Sequence, residues 1–400
     1  MALAPALRSR NFRLFWIGQS VSTMGAFLQM VAESWLLYQL TESTLWLGLL
    51  GVVGLLPVVP IAFLGGVLVD RVPRRKLIMV TQIGLLTQAA IFGMLVITGR
   101  IQVWHIIVLD FVLGALYAID QPARQAFLPE LVSGEDLANA IALNSAVFQL
   151  SRVLGQAASG ILIAAIGAGG TMLLNSATFL APIVALTLIR VRDLGHDTER
   201  PSLGTALSEG ITTLYRRPPL LGTISLMITV GGLPLTISLM MPAFAEDVVQ
   251  TDAAGLGLLL ASAAAGAVLS TLLVTKFRVG HRGRAVMISS LVLPLFLMAL
   301  ALSRSMAVAC SILLFVGLAQ SVLHAMSTTL VQVNVPSRVR GRVMSLYGML
   351  IIGGPKLGGI LIGGLAENLG LPLTIGLSSV LGLFYALGLH LLMPSVRNLD

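Results

Sequence analysis

Long apolar stretches alternate with short polar ones about twelve times along the chain. They run over roughly 13–39, 45–69, 75–98, 102–125, 137–166, 170–190, 219–245, 254–277, 284–303, 307–333, 341–366 and 371–393. Each is long enough to cross the ~30 Å hydrocarbon layer of a bilayer as one helix. In lipid the backbone must satisfy its own hydrogen bonds, so a helix is the expected form of every stretch. The pattern therefore predicts an all-α integral membrane protein with twelve transmembrane helices. Within several stretches the few polar residues recur every three to four positions. Gln19, Ser22, Gln29 and Glu33 share one face of the first helix, with Ala26 between them. Asp110, Gly114, Tyr117, Gln121 and Arg124 share a face of the fourth, and Ser145, Gln149, Arg152, Gln156 and Ser159 one of the fifth. Three such stripes are expected to line a common aqueous cavity rather than face lipid.

Charge gives the orientation. Almost all Lys and Arg lie in the alternate, even-numbered connections, and only Arg100 and Arg304 fall on the opposite side. That asymmetry predicts a multi-pass protein of the bacterial cytoplasmic (inner) membrane with both termini in the cytoplasm. The first apolar stretch follows Arg8, Arg10 and Arg13, is too long for a signal peptide and shows no small-residue cleavage site. With 56% hydrophobic and 10% charged residues and a mean hydropathy of +0.94, the chain leaves no stretch for a soluble catalytic domain. Its pI of about 10.4 reflects helix-end basic residues facing anionic lipid, and no basic face is free for nucleic acid. The single cysteine, Cys310, lies in an apolar run, which excludes a disulfide framework and a thiolate metal site. No metal and no cofactor is expected.

The one long polar segment, 191–218, separates an N-terminal six-helix bundle, 1–190, from a C-terminal one, 219–400. Within it, Ser202 to Tyr215 has the character of an amphipathic surface helix. The halves look related. Leu137-Ala138-Asn139-Ala140 leads into Gly155, Gly160 and Gly167, and about 200 residues later Val339-Arg340-Gly341-Arg342 leads into Gly354, Gly359 and Gly370. Parallel repeats of this kind place a substrate site near the bilayer midplane.

The loop between the second and third stretches reads Gly66-Val67-Leu68-Val69-Asp70-Arg71-Val72-Pro73-Arg74-Arg75-Lys76. It resembles the signature loop of the major facilitator superfamily, G-x-x-x-D-[RK]-x-G-[RK]-[RK], with Pro73 where the pattern has glycine. Two further stretches resemble the drug:proton antiporter branch that holds macrolide efflux proteins and the enterobactin exporter. They are Asp120-Gln121-Pro122-Ala123-Arg124 through Pro129-Glu130-Leu131-Val132, and Gln332-Val333-Asn334-Val335-Pro336 with Arg340-Gly341-Arg342. The similarity extends over effectively the whole chain. It implies the major facilitator fold, two pseudo-symmetric six-helix bundles. It also implies a conformational gate built from Gly66, Asp70, Arg71, Arg74, Arg75, Arg340 and Arg342. The chain departs from the branch in lacking an arginine motif in the fourth stretch and in having Gly155-Gln156 where Gly-Pro is favoured, although Gly354-Pro355 appears in the eleventh.

Ionisable side chains deep in a membrane are costly and mark transport pathways. At ~1.5 Å per residue, Glu33 and Asp110 lie ~10 Å below the outer surface, while Arg152 and Lys356 fall near the midplane. Glu33 and Asp110 are the candidate proton-coupling groups. Burial favours the neutral form of a carboxyl and a nearby guanidinium the charged form, so a proton taken up outside would weaken a partnership with Arg152. The candidate substrate-binding residues are Gln29, Tyr117, Arg152, Gln156, His324 and Lys356. The expected function is secondary active transport, proton-coupled efflux of a hydrophobic or amphiphilic drug, secondary metabolite or siderophore by alternating access. The alternatives are an importer or facilitator on the same fold, or a lipid translocator. No HExxH, nucleophile-elbow or P-loop pattern occurs, so neither an enzyme nor a self-contained ATP-driven pump is expected. The expected partners are a small-molecule substrate, protons and membrane lipids, with the protein a monomer.

Overall fold

The computed structural model describes residues 5–58, 60–61, 72–189, 212, 214–215, 217–274 and 282–399. Among them the chain is helical with no strand. The first half holds α1 (Arg10–Thr41), α2 (Thr44–Val53), α3 (Arg74–Ile97), α4 (Val103–Leu131), α5 (Leu137–Thr178) and α6 (Leu180–Leu188). The second holds α7 (Pro218–Thr229), α8 (Leu233–Leu239), α9 (Ala253–Val274), α10 (Arg282–Leu302), α11 (Met306–Asn334), α12 (Ser337–Leu369) and α13 (Leu371–Leu392).

Nine helices among the described residues are long and apolar enough to cross a membrane. The other three predicted spans have physical explanations. The polar face of α1 lowers its hydropathy. The second span continues beyond α2 into residues outside the described set. The run Gly134–Leu188 carries two spans in one, turning at Gly167, whose φ of 73° only glycine adopts without strain. The seventh predicted span departs most from expectation. It is broken into α7, α8 and a short stretch after Met240, because Gly231-Gly232 and the prolines at 234 and 242 interrupt the helical ladder.

By contacts the chain divides into two compact units, 1–42 with 52–198, and 43–51 with 199–400. Lipid tails are as apolar as leucine, so helices in a membrane associate through close packing and interhelical hydrogen bonds. Unit 1 shows both. Gly155 of α5 sits where a Cβ would lie 2.8 Å from the Met24 carbonyl oxygen of α1. Along the same seam Ser151 donates to the Ser20 carbonyl (3.3 Å) and Ser159 to the Leu28 carbonyl (3.1 Å). At the end of the unit that holds both Phe15 and Leu131, an apolar cluster forms from Phe12, Phe15, Ile78, Phe127, Leu131 and Ile189.

Unit 2 is closed by a reciprocal glycine crossing: a Cβ on Gly266 of α9 would meet the Leu314 carbonyl of α11, and one on Gly317 the Ala263 carbonyl. Each unit holds, within itself, a bond to the end of a long helix. Ser9, the N-cap of α1, donates to the carbonyl of Leu131 at the end of α4, and Arg217, before α7, donates to that of Asn334 at the end of α11. Donor corresponds to donor (Ser9, Arg217) and acceptor to acceptor (Leu131, Asn334) at an offset of about 200 residues, as in the glycine repeat.

Candidate functional site

In unit 1 the predicted charges lie on α1, α4 and α5, the helices with polar stripes. Glu33 is only 3% exposed on α1. Asp110 of α4 rests against the backbone of Gly54, just beyond α2. A Cβ there would lie 2.8 Å from its Oδ2. One turn on, Gly114 permits the same close approach against the Gly54 carbonyl. Tyr117, next on that face, packs beside Leu85, Ala89 and Phe179. The charges that act on its hydroxyl come from Arg124, Asp120 and Glu33. The fold thus brings Glu33 and Tyr117, predicted on separate helices, into one electrostatic neighbourhood.

The stripes are not uniformly free. Both ends of the Gln29 amide are spent inside unit 1. Its Nε2 donates to Gln88 Oε1 (3.2 Å), its Oε1 accepts from Asn175 Nδ2 (2.6 Å), and Gln88 donates onward to the Leu109 carbonyl (3.2 Å). This chain of amides stitches α1, α3, α4 and α5 together. On α5 the stripe sinks from exposed Ser145 through half-buried Arg152 to buried Gln156 and Ser159. The buried Nε of Arg152 has no hydrogen-bond partner among the described residues.

Asp120 opens the first branch stretch but is absent from the candidate site residues that the sequence suggests. It is wholly buried, pairs with Arg124 on the next turn of α4 at 2.5 Å, and accepts from Thr81 Oγ1 (2.7 Å) and Gln82 Nε2 (2.9 Å) of α3. The i, i+4 spacing of opposite charges was a signal for it.

Of the predicted gate, Gly66, Asp70 and Arg71 lie outside the described residues. Arg74, at the start of α3, pairs with Glu130 at the end of α4 (2.5 Å) and donates to the Ala126 carbonyl (2.8 Å), which joins the signature loop to the first branch stretch, 120–132. Arg75 donates to the Thr187 carbonyl of α6 (3.2 Å).

In unit 2, Lys356 is half-buried on α12, its Cγ close to Gly51. The preceding carbonyl, of Pro355, accepts from Thr236 of α8 (3.0 Å). His324 is exposed on α11. One turn before it, Gln320 donates to the Gly231 carbonyl at the break of the seventh span (3.4 Å), and one turn after it Thr328 meets the Tyr347 hydroxyl (3.2 Å). Arg340 reaches the Val335 carbonyl of its own helix start (3.4 Å), and Arg342 is half-buried two residues on. The first turn of α2 is tied to the far end of α12. Glu367 Oε2 accepts from Ser43 Oγ (2.9 Å), Thr44 Oγ1 (3.3 Å) and the Leu45 amide (3.3 Å), while Thr44 also donates to the Gly363 carbonyl (2.8 Å).

Membrane helices in two units with buried charges on their polar faces describe a transporter scaffold, and the whole length of the chain, 1–400, matches a family model of the major facilitator superfamily described as transmembrane secretion effector. The chain belongs to that family. The transporter is 26% identical over 396 residues to the multidrug efflux pump Tap of Mycolicibacterium fortuitum, covering 94% of each chain. It is 23% identical over 376 residues to macrolide efflux protein A of Streptococcus pyogenes, covering 90% of each. Among solved structures it resembles an inward-facing bacterial homologue of the lysosomal transporter Spinster, with a TM-score of 0.72, 16% identity and 98% of each chain covered. It also resembles a nucleoside transporter, NupG, with a TM-score of 0.73, 12% identity, and 97% and 100% covered. These two likenesses concern the fold alone. Fold and relatives are those of membrane transporters, not enzymes.

Proposed function

We propose that this transporter exports a hydrophobic or amphiphilic small molecule, coupled to inward movement of protons, by opening its site alternately to the two sides of the bacterial cytoplasmic membrane. The observation that supports export is the end-to-end similarity to pumps named for multidrug and macrolide efflux. Support for proton coupling comes from the placement of Glu33, a carboxyl buried within a span and in electrostatic reach of Tyr117, on which the Asp120–Arg124 pair also acts. A charge in that setting is stable only while its neighbours hold it, so gain or loss of one proton changes which packing of the helices is favoured. Glu33 and Asp110 carry the proton. Tyr117, Arg152, Gln156, His324 and Lys356 contact cargo or balance its charge. Gln29, whose amide is engaged at both ends, serves packing. Arg74 with Glu130 belongs to the gate, together with Gly66, Asp70, Arg71, Arg75, Arg340 and Arg342. Both termini lie in the cytoplasm, and the monomer is the working unit.

The test is uptake of labelled macrolides and other amphiphilic drugs into inverted membrane vesicles. Uptake driven by an imposed pH gradient and abolished by collapsing it is the expected result. Uptake insensitive to the gradient removes proton coupling, and movement only in the opposite direction removes export.

A further inference from the structure

Two arginines lie on the side of the membrane that is poor in positive charge, and the structure treats them differently. The guanidinium of Arg304 is spent on its own helix end, donating to the carbonyls of Ala301 (3.1 Å) and Ser303 (3.2 Å). That of Arg100 makes no hydrogen bond or ion pair among the described residues. Its backbone, by contrast, is firmly placed. α3 ends with Gly99 in the left-handed region (φ 68°), the Gly99 amide donating to Val96 and the Arg100 amide to Leu95, both at 3.0 Å. This is the Schellman pattern, which holds the residue after the glycine against the last turn of the helix. Directly below Arg100, the side of α3 forms an open groove of about 330 Å³ lined by Ala90, Ile91, Met94, Leu95, Thr98 and Arg100.

The dimensions match one leaflet. From Ala90 to Arg100 the helix rises ~15 Å at ~1.5 Å per residue, half of the ~30 Å hydrocarbon thickness. Trp104 lies four residues beyond Arg100. It is 59% exposed, stacked on His105 (ring centroids 3.7 Å apart), and its Nε1 donates to Gln102 Oε1 (2.7 Å). An exposed tryptophan with its polar edge engaged is an interface anchor and sets the headgroup level at this end of α3. An unpaired cation at the end of an open, largely apolar helix flank one leaflet long is complementary to an anionic amphiphile with an extended acyl chain.

We propose that this groove is a binding site for one anionic phospholipid, its phosphate on Arg100 and an acyl chain laid along Ala90, Ile91, Met94 and Leu95. By the charge asymmetry of the loops the lipid belongs to the outer leaflet, but the site itself rests neither on that orientation nor on the transported cargo.

The test is native mass spectrometry of the full chain in neutral detergent, with phosphatidylglycerol and phosphatidylcholine of identical acyl chains added in equal amounts. The wild type is expected to retain phosphatidylglycerol preferentially. Arg100→Gln is expected to lower that retention about fivefold, the effect of one basic residue at an anionic surface, while Arg304→Gln leaves it unchanged. Ala90→Trp, which fills the lower groove and keeps the arginine, is expected to lower retention of both lipids. Unchanged preference in Arg100→Gln, or an equal loss in Arg304→Gln, overturns the assignment. Undiminished binding in Ala90→Trp overturns the seat for the acyl chain.

Discussion

Replacing Asp120 tests how far this transporter depends on a charge pair within the membrane. The carboxylate is wholly buried and holds Arg124, Thr81 and Gln82 together. In Asp120→Leu the guanidinium of Arg124, whose side chain is 10% exposed, loses its counter-charge. Removing one partner of a buried ion pair costs about 3–5 kcal/mol. Arg124→Met strands the carboxylate instead and costs about as much, eased by the two hydrogen bonds from α3. In the double variant neither charge is left unpaired. Thr81 still donates to the Ile78 carbonyl (2.9 Å), and only the Gln82 amide loses its acceptor, at about 1–3 kcal/mol. The double variant is therefore more stable than either single one, with a coupling of about 5 kcal/mol. At ~2–4 °C per kcal/mol for a unit of this size, each single variant melts on the order of 10 °C below wild type. Thermal unfolding of the purified protein, followed by tryptophan fluorescence, measures all four corners of the cycle. Additivity of the two single effects, or single variants melting within about 2 °C of wild type, refutes the role given to the pair.

Other outcomes follow from particular contacts. Gly54→Ala places a methyl against the Asp110 carboxylate, a flexible side-chain end, so the fold persists while the pH profile of transport shifts. Gly114→Ala meets the rigid Gly54 carbonyl and lowers stability, and Gly348→Ala, with open space around it, changes neither. Glu367→Ala removes the acceptor at the start of α2, at about 0.5–2 kcal/mol for a lost helix cap, and is read as faster hydrogen exchange at the Leu45 amide, which donates to it. Gln29→Leu breaks two buried amide bonds, at ~0.6 kcal/mol each for interhelical bonds in a membrane, and is expected to lower the melting temperature while transport is retained.

The apolar pattern carried the architecture a long way, because span length and backbone self-satisfaction leave helices little freedom in lipid. Where it fell short, glycine and proline decided. The fourth span runs to Leu131 although Pro122 and Pro129 lie inside it, because a proline within a packed membrane helix is tolerated once neighbours satisfy the freed groups. The seventh breaks at Gly231-Gly232, where a side chain from another helix, Gln320, takes up a backbone carbonyl. For the site, helical spacing identified which polar residues share a face but not what that face meets. Glu33 acts on Tyr117 across helices and Asp110 rests against Gly54, whereas Gln29 on the same stripe as Glu33 is consumed by Gln88 and Asn175. Asp120 is visible as part of a motif, but its partners on α3 are brought to it only by packing. The latch between Ser43, Thr44 and Glu367 joins residues more than 300 positions apart, which no local pattern reveals.

The measurement closest to the heart of the account is cargo-driven proton movement in proteoliposomes carrying a pH-sensitive dye. Wild-type protein is expected to move protons when an amphiphilic drug gradient is imposed without any pH gradient. Glu33→Gln and Asp110→Asn are expected to bind drug but lose that proton flux. Undiminished flux in both variants, or drug movement in the wild type with no proton movement at all, would contradict it.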